Sequence, residues 1–300
     1  MAADQLGHFE PGSAEWHAAR EGGLGGSEIA AVLGLSPFES RFSLWHRKAG
    51  LLAPVQETPE MEWGKRLEPV IAAKFAECHP EFAVERTGLW RNSERPYQLG
   101  QPDRDCGGED PGPDGPLLEI KQARWGEYWG EPGTDDIPVG YKAQTRWYMD
   151  CLGRRRCYVA VLIAPCDYRE YMVEWDEQDA LLMRQEAEEF LATVTRNERP
   201  PIDDSEATHL AIRELHPEID PRDHRVPDDL AVAYLTALAD HEAATAEKRR
   251  QVSLVLDAMG TARRAMWGQE CIATRVPGKN GGTPYLRAVN FASQRLDKSA

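Results

Sequence analysis

The sequence lacks the features that would put the chain in a membrane, outside the cell or on a zinc-ribbon scaffold. Its 300 residues contain no run of about 18 apolar residues, so no membrane-spanning helix is expected. The opening Met-Ala-Ala-Asp-Gln-Leu-Gly-His has no basic segment followed by an apolar one. No secretion signal is expected, and the default reading is cytoplasmic. The six cysteines (78, 106, 151, 157, 166 and 271) never form a Cys-x-x-Cys pair. That disfavours zinc ribbons, thioredoxin-like motifs and a disulfide framework. A basic excess is missing too. The formal net charge is −15, and residues 101–200 hold 12 Lys/Arg against 21 Asp/Glu. This argues against a general DNA-coating protein but not against a metal site, which is acidic by construction, nor a local basic groove. Arg154-Arg155-Arg156 reads as a solvated turn. There is no internal repeat and no low-complexity segment.

What is present suits a soluble α/β protein. A hydrophobic fraction of 41% supplies a sizeable core, and 28% charged residues is ordinary. Ser13 can cap a short helix holding Trp16 and Arg20. Gly25-Gly26-Ser27 precedes an apolar run ending at Gly34, with Ser27 read as the cap. A third helix spans about 40–49. A stronger one spans about 60–78, with Trp63, Leu67, Val70, Ile71 and Phe75 on one stripe and Pro69 expected to kink or split it. Glu68 lies at the edge of that stripe. Strands are expected at about 82–90, 96–101 and 117–122, with an irregular loop at 106–116. A helix from Pro138, strands at 156–164 and 168–175, and a helix at 177–196 complete residues 1–197. Residues 198–226 read as a linker. Residues 227–300 read as a long helix (228–259) followed by a hairpin of 269–275 and 285–289.

The chemistry-bearing stretch is Gln101-Pro102-Asp103 followed by Leu118-Glu119-Ile120-Lys121. Two carboxylates on neighbouring strands can bind Mg²⁺, with water in the remaining positions and the Ile120 carbonyl as a further oxygen. Such a site polarises a phosphoryl oxygen and lowers the pKa of a bound water. Lys121, two residues from Glu119 and so on the same strand face, can orient that water and offset developing charge. Alone, the triplet also fits a surface Glu/Lys pair. Glu68 offers a carboxylate from another direction, and Gln144 an amide that reaches lysine, water or phosphate. Arg20 can grip a phosphate bidentately, beside the backbone N–H groups and hydroxyl of the Gly-Gly-Ser turn.

In order along the chain come Trp16 to Arg20, Gly25-Gly26-Ser27-Glu28, Leu33-Gly34-Leu35-Ser36-Pro37 with Leu44-Trp45, Trp63-Gly64-Lys65 to Glu68-Pro69, Gln101-Pro102-Asp103, Leu118 to Lys121, and Pro138 to Gln144. This succession resembles the YqaJ-type viral recombinases, the phage alkaline exonucleases of the PD-(D/E)XK superfamily, over about residues 12–195. The resemblance implies a restriction-endonuclease-like core with a central mixed β-sheet flanked by helices, extended here by a C-terminal helical arm and hairpin. It implies that Asp103, Glu119 and the Ile120 carbonyl bind one or two Mg²⁺ or Mn²⁺ ions. Glu68 would bind or position a metal, directly or through water. Lys121 would be the catalytic lysine, Gln144 its support, and Arg20 with Ser27 the grip on a 5′-phosphate. The implied activity is 5′→3′ resection of linear double-stranded DNA. The 3′ overhang would pass to a single-strand annealing protein, and some relatives form a ring-shaped homo-oligomer.

Two departures stand out: Arg104 follows the motif Asp where relatives often have Gly, and the loop 104–116 is long and acidic. Two other readings remain: a DNA-end-binding or assembly protein with an inactive nuclease-like core, and a related endonuclease. The first expects one of Asp103, Glu119 and Lys121 to be lost; none is. A CRISPR-adaptation-type nuclease usually carries a four-cysteine iron–sulfur cluster, which Cys271 alone does not supply.

Overall fold

The computed structural model describes residues 3–108 and 112–289. The chain divides into two compact units, one running to Ile219 and one beginning at Asp220.

In the first unit β1 (Ala3–Gly7) precedes helices α1 (Ala14–Ala19), α2 (Gly26–Val32), α3 (Arg41–Lys48) and α4 (Pro59–Cys78). Short strands β2 (Glu85–Arg86), β3 (Leu89–Asn92), β4 (Leu99–Gly100) and β5 (Arg104–Asp105) lead to β6 (Leu117–Ala123). Then come α5 (Val139–Leu152), β7 (Arg156–Ile163), β8 (Asp167–Glu174), α6 (Glu177–Thr195) and α7 (Glu206–Leu215). The central sheet has the order β2-β5-β6-β7-β8; β6 and β7 are parallel and the other pairs antiparallel. A parallel pair needs a crossover, and α5 supplies it. The sheet is therefore mixed and flanked by helices, as expected.

Alternation along β6 builds a core on each face of the sheet. Leu117 joins Val159, Val161, Trp147, Met149 and Phe190 in one cluster. Leu118 and Ile120 join Ala160, Ile71 and Phe75 of α4 in the other. Each large apolar side chain so buried stabilises the fold by roughly 1.5–3 kcal/mol. Glu119 and Lys121 occupy the Leu117 face and give that core a polar end.

Several elements differ from expectation. Helix α4 is not split at Pro69. Both Pro69 and Lys65, whose carbonyl loses its intrahelical donor, are exposed, so water can satisfy that carbonyl. Trp63 and Val70 are exposed, whereas Ile71 and Phe75 are buried. At about 100° per residue, Val70 is turned well away from the Ile71–Phe75 line. Helix α2 starts at Gly26 with Gly25 as its cap, so Ser27 lies inside the first turn rather than capping it. The strand expected at 82–90 breaks at Thr87-Gly88 and serves two sheets, β2 in the central one and β3 in the small sheet β1-β3-β4. A Cβ on Gly88 would sit 2.4 Å from the Gly7 carbonyl oxygen, so the crossing of β1 requires glycine there. Arg104 and Asp105, read as the start of a loop, form β5; residues 109–111 of that loop lie outside the described residues. Arg154 is buried against Asp105 rather than solvated.

The expected linker 198–226 is partly folded. Within it, α7 docks on α3: Ala211 packs with Phe42 and Leu52, and Thr208 Oγ1 donates to Ser40 Oγ at 2.7 Å. In the second unit α8 (Asp228–Met259) precedes β9 (Arg264–Trp267), β10 (Glu270–Val276) and β11 (Tyr285–Ala288). These strands form an antiparallel sheet in the order β11-β10-β9. The expected hairpin is present, and β9 adds a third strand through the two-residue turn Gly268-Gln269.

Candidate active site

Strand β6 places Glu119 and Lys121 side by side on one face, and α5 brings Gln144 over them. Lys121 Nζ donates to Glu119 Oε1 at 2.6 Å and to Gln144 Oε1 at 3.2 Å. Gln144 Nε2 donates to the same Glu119 Oε1 at 2.7 Å and to the Tyr148 hydroxyl at 3.0 Å. The Lys121 ammonium also lies 4.8 Å from the centre of the Tyr141 ring. Lysine, glutamate and amide therefore form a closed triangle, and Gln144 is buried rather than solvated. The structure brings these three side chains together.

Asp103 arrives from the chain just before β5, and its Oδ2 accepts the Ile120 main-chain N–H at 2.6 Å. It lines a cleft of about 100 Å³ with Gly64, Glu68, Ile71, Ile120, Lys121 and Gln122. Burial, then the Glu119 charge, raises the Asp103 carboxyl well above its ordinary range. Burial raises Glu119 too, against the pull of Lys121. Burial alone would lower the Lys121 ammonium, but Glu119 and Asp103 raise it above the ordinary lysine value.

Two crowded carboxylates, Glu119 buried and Asp103 half-buried, suit a divalent cation. Glu119 Oε2 is buried with no hydrogen-bond partner, so one strong acceptor is left for a ligand outside the protein. Among the described residues, no three His, Cys, Asp or Glu side chains form a closed metal cage.

Glu68 lines the same cleft, but its Oε1 is already engaged. Arg104 Nη1 donates to it at 2.6 Å, and Arg86 Nη2 lies 3.5 Å away. Arg104 is buried and also donates to the Asp103 carbonyl at 2.6 Å. Sequence reasoning noted Arg104 only as a departure. Its partner becomes visible once β5 pairs with β2 and β6. Tyr148 was likewise passed over, although its spacing of four from Gln144 puts the two on one helix face.

Arg20 and Ser27 sit around the start of α2. The Arg20 guanidinium lies 4.2 Å from the Trp16 ring centre and pairs with Glu28 at 2.7 Å. Lys48 Nζ pairs with the same carboxylate at 2.8 Å. Burial opposes the charge on Glu28, yet Arg20, Lys48 and the Gly25 N–H hold its pKa down to about 2. Two cations face one carboxylate, so this group carries one positive charge in excess. Ser27 is exposed beside it. A Cβ on Gly26 would lie 2.5 Å from Tyr148 Cε1 and 3.0 Å from Gln144 Cγ, so the Arg20 group adjoins the Lys121 network. Trp16 Nε1 donates to Gln101 Oε1 at 2.9 Å, tying α1 to the segment that carries Asp103.

The mixed sheet flanked by helices, with Asp103 and Lys121 lining the cleft and Glu119 bonded to Lys121, has the restriction-endonuclease-like fold. An alkaline exonuclease from Laribacter hongkongensis shares it, with a TM-score of 0.51 and 22% identity over 62% of this chain and 94% of that one. Residues 15–155 match the YqaJ-like viral recombinase domain. The uncharacterized protein YqaJ of Bacillus subtilis (strain 168) is 28% identical over 211 residues, 68% of this chain; the match spans 63% of that relative's length. Among the described residues, no helix is long and apolar enough to cross a membrane.

The two raised carboxylates predict a stability effect. A raised carboxyl favours the fold while protonated. That contribution is complete below the unfolded value of about 4 and is lost as pH rises through the folded value. Asp103→Asn removes one of the two repelling charges. At pH 8 in EDTA the variant is expected to melt at a higher temperature than the parent, with the gap closing toward pH 4. Added Mg²⁺ should raise the melting temperature of the parent but not of the variant. A lower melting point for Asp103→Asn at pH 8 in EDTA would contradict the assignment.

Proposed function

We propose that the protein is a divalent-metal-dependent deoxyribonuclease that resects linear double-stranded DNA, 5′→3′, and leaves 3′ single-stranded overhangs. The carrying observation is the Lys121–Glu119–Gln144 triangle with an unpartnered Glu119 oxygen beside Asp103. The fold shared with an alkaline exonuclease and the family match of residues 15–155 support it. The overhang would be handed to a single-strand annealing protein.

Asp103, Glu119 and the Ile120 carbonyl would hold Mg²⁺ or Mn²⁺, which when bound supplies Lewis-acid polarisation and a water of lowered pKa. Lys121 keeps its proton, because Glu119 and Asp103 favour the charged form. It presents a fixed positive charge where a phosphorane gathers negative charge. Gln144 prevents rotation of both Lys121 and Glu119, since it bonds to each. Glu68 acts through water rather than as a direct ligand, because Arg104 occupies its Oε1. Arg20, Ser27 and Lys48 supply the positive end at which a terminal 5′-phosphate would be gripped.

Purified protein with Mg²⁺ is expected to shorten linear duplex DNA and spare covalently closed circles. Lys121→Ala should lower the rate by about 10²–10³ or more while DNA binding persists. Cleavage of closed circles would exclude an exonuclease, and full activity in Lys121→Ala would remove that lysine from the mechanism.

Arg20→Ala is expected to lose about 10- to 100-fold in use of 5′-phosphorylated ends, the worth of a charged hydrogen bond, with little change on 5′-hydroxyl ends. Equal losses on both ends would refute the phosphate grip.

Arg104 gives a double-mutant test. If it acts through Glu68, Arg104→Gln and Glu68→Gln each slow cleavage, and the double variant is no slower than Glu68→Gln alone. Rates that multiply would show that Arg104 acts elsewhere.

A further inference from the structure

The second unit holds a concentration of cations unlike the rest of this acidic chain. Between residues 261 and 289 stand Arg263, Arg264, Arg275, Lys279 and Arg287 against Glu270 alone. Arg275 bonds to the Gly260 carbonyl. Arg263, Arg264, Lys279 and Arg287 have no carboxylate partner among the described residues.

The register gathers two of these on one surface. Thr274 of β10 pairs with Arg264 of β9 on one side and with Arg287 of β11 on the other. Residues directly opposite share a face, so Arg264, Thr274 and Arg287 form one row across the sheet. Val276 pairs with Tyr285, which lies two residues from Arg287 and so on the same face. Met266, two residues from Arg264, joins them. Arg264, Met266, Tyr285 and Arg287 are all exposed. On the opposite face Ala265 and Ala273 pair and are buried, and β9 is the strand that contacts α8. One face of the sheet is therefore covered at Ala265 and Ala273, and the other is exposed at Arg264, Met266, Tyr285 and Arg287.

We propose that this open face binds single-stranded nucleic acid, with Arg264 and Arg287 on successive backbone phosphates and Tyr285 stacked on a base. Unpaired guanidinium groups fit a polyanion, and an exposed aromatic on the same face, beside Arg287, fits an unpaired base, which a duplex keeps inside its stack. The proposal stands on the second unit alone and does not depend on the nuclease reading.

The test is fluorescence anisotropy of the full chain with labelled dT20, rU20 and a 20-base-pair duplex, in EDTA to prevent cleavage, across 50–200 mM salt. Arg264→Ala/Arg287→Ala should make the slope of log affinity against log salt shallower by about 1.4, the value for two phosphates of a single strand. Arg264→Lys/Arg287→Lys should keep the slope. Tyr285→Ala should weaken binding of dT20 or rU20 about tenfold or more at every salt concentration with the slope unchanged. Arg222→Ala/Arg225→Ala, outside the sheet, should change nothing. Unchanged affinity and slope in the first and third variants, or equal sensitivity of duplex binding to Tyr285→Ala, would overturn the proposal.

Discussion

The buried pairing of Glu119 with Lys121 is the constraint around which the first unit is arranged. Burying an ion pair is costly unless its remaining hydrogen-bonding capacity is met. Here α5 must place Gln144 within reach of both partners. Tyr148, one turn on, must in turn receive the amide, and α2 must approach closely enough that only glycine fits at position 26. One Glu119 oxygen is nevertheless left without a partner, and Asp103 is held nearby by the Ile120 N–H. A protein selected for stability alone has no reason to keep that arrangement. A site that took up a cation would, because the cation would relieve both the repulsion and the orphaned acceptor.

Much of this was legible in the sequence. Asp103, Glu119 and Lys121 could be read because strand alternation fixes the relation of Glu119 to Lys121, and Gln144 because it falls on the inner face of a strongly patterned helix. Long elements, such as 177–195 and 228–259, came out close to their observed limits. The failures lie where a contact distant in sequence decides. Arg104 gained its role only when β5 inserted between β2 and β6, which brought it to Glu68 some 36 positions earlier. Strands β1 and β9 are too short to show a period. Ser27 lost the capping position because the Glu28 carboxylate accepts the Gly25 N–H, which starts the helix earlier. Helix α7 was hidden by Pro- and Asp-rich flanks, and only its packing on Phe42 shows that it belongs to the core.

The net charge of −15 raises the question of how such a chain could approach DNA. The answer lies in how its cations are partnered. Many arginines of the first unit are committed to carboxylates, as Arg154 is to Asp105 and Arg184 to Asp150. These pairs hold the fold and contribute little positive potential. Around Arg20 two cations share one carboxylate whose pKa is held near 2, so the excess charge persists at any pH where the protein would work. In the second unit Arg264 and Arg287 of the sheet have no carboxylate partner among the described residues. Acidic surface elsewhere then repels a polyanion from unproductive positions, and the few uncompensated cations define where it can settle. A strongly negative total is thus compatible with nucleic-acid chemistry, because unpaired positive charge, rather than its sum, sets the approach.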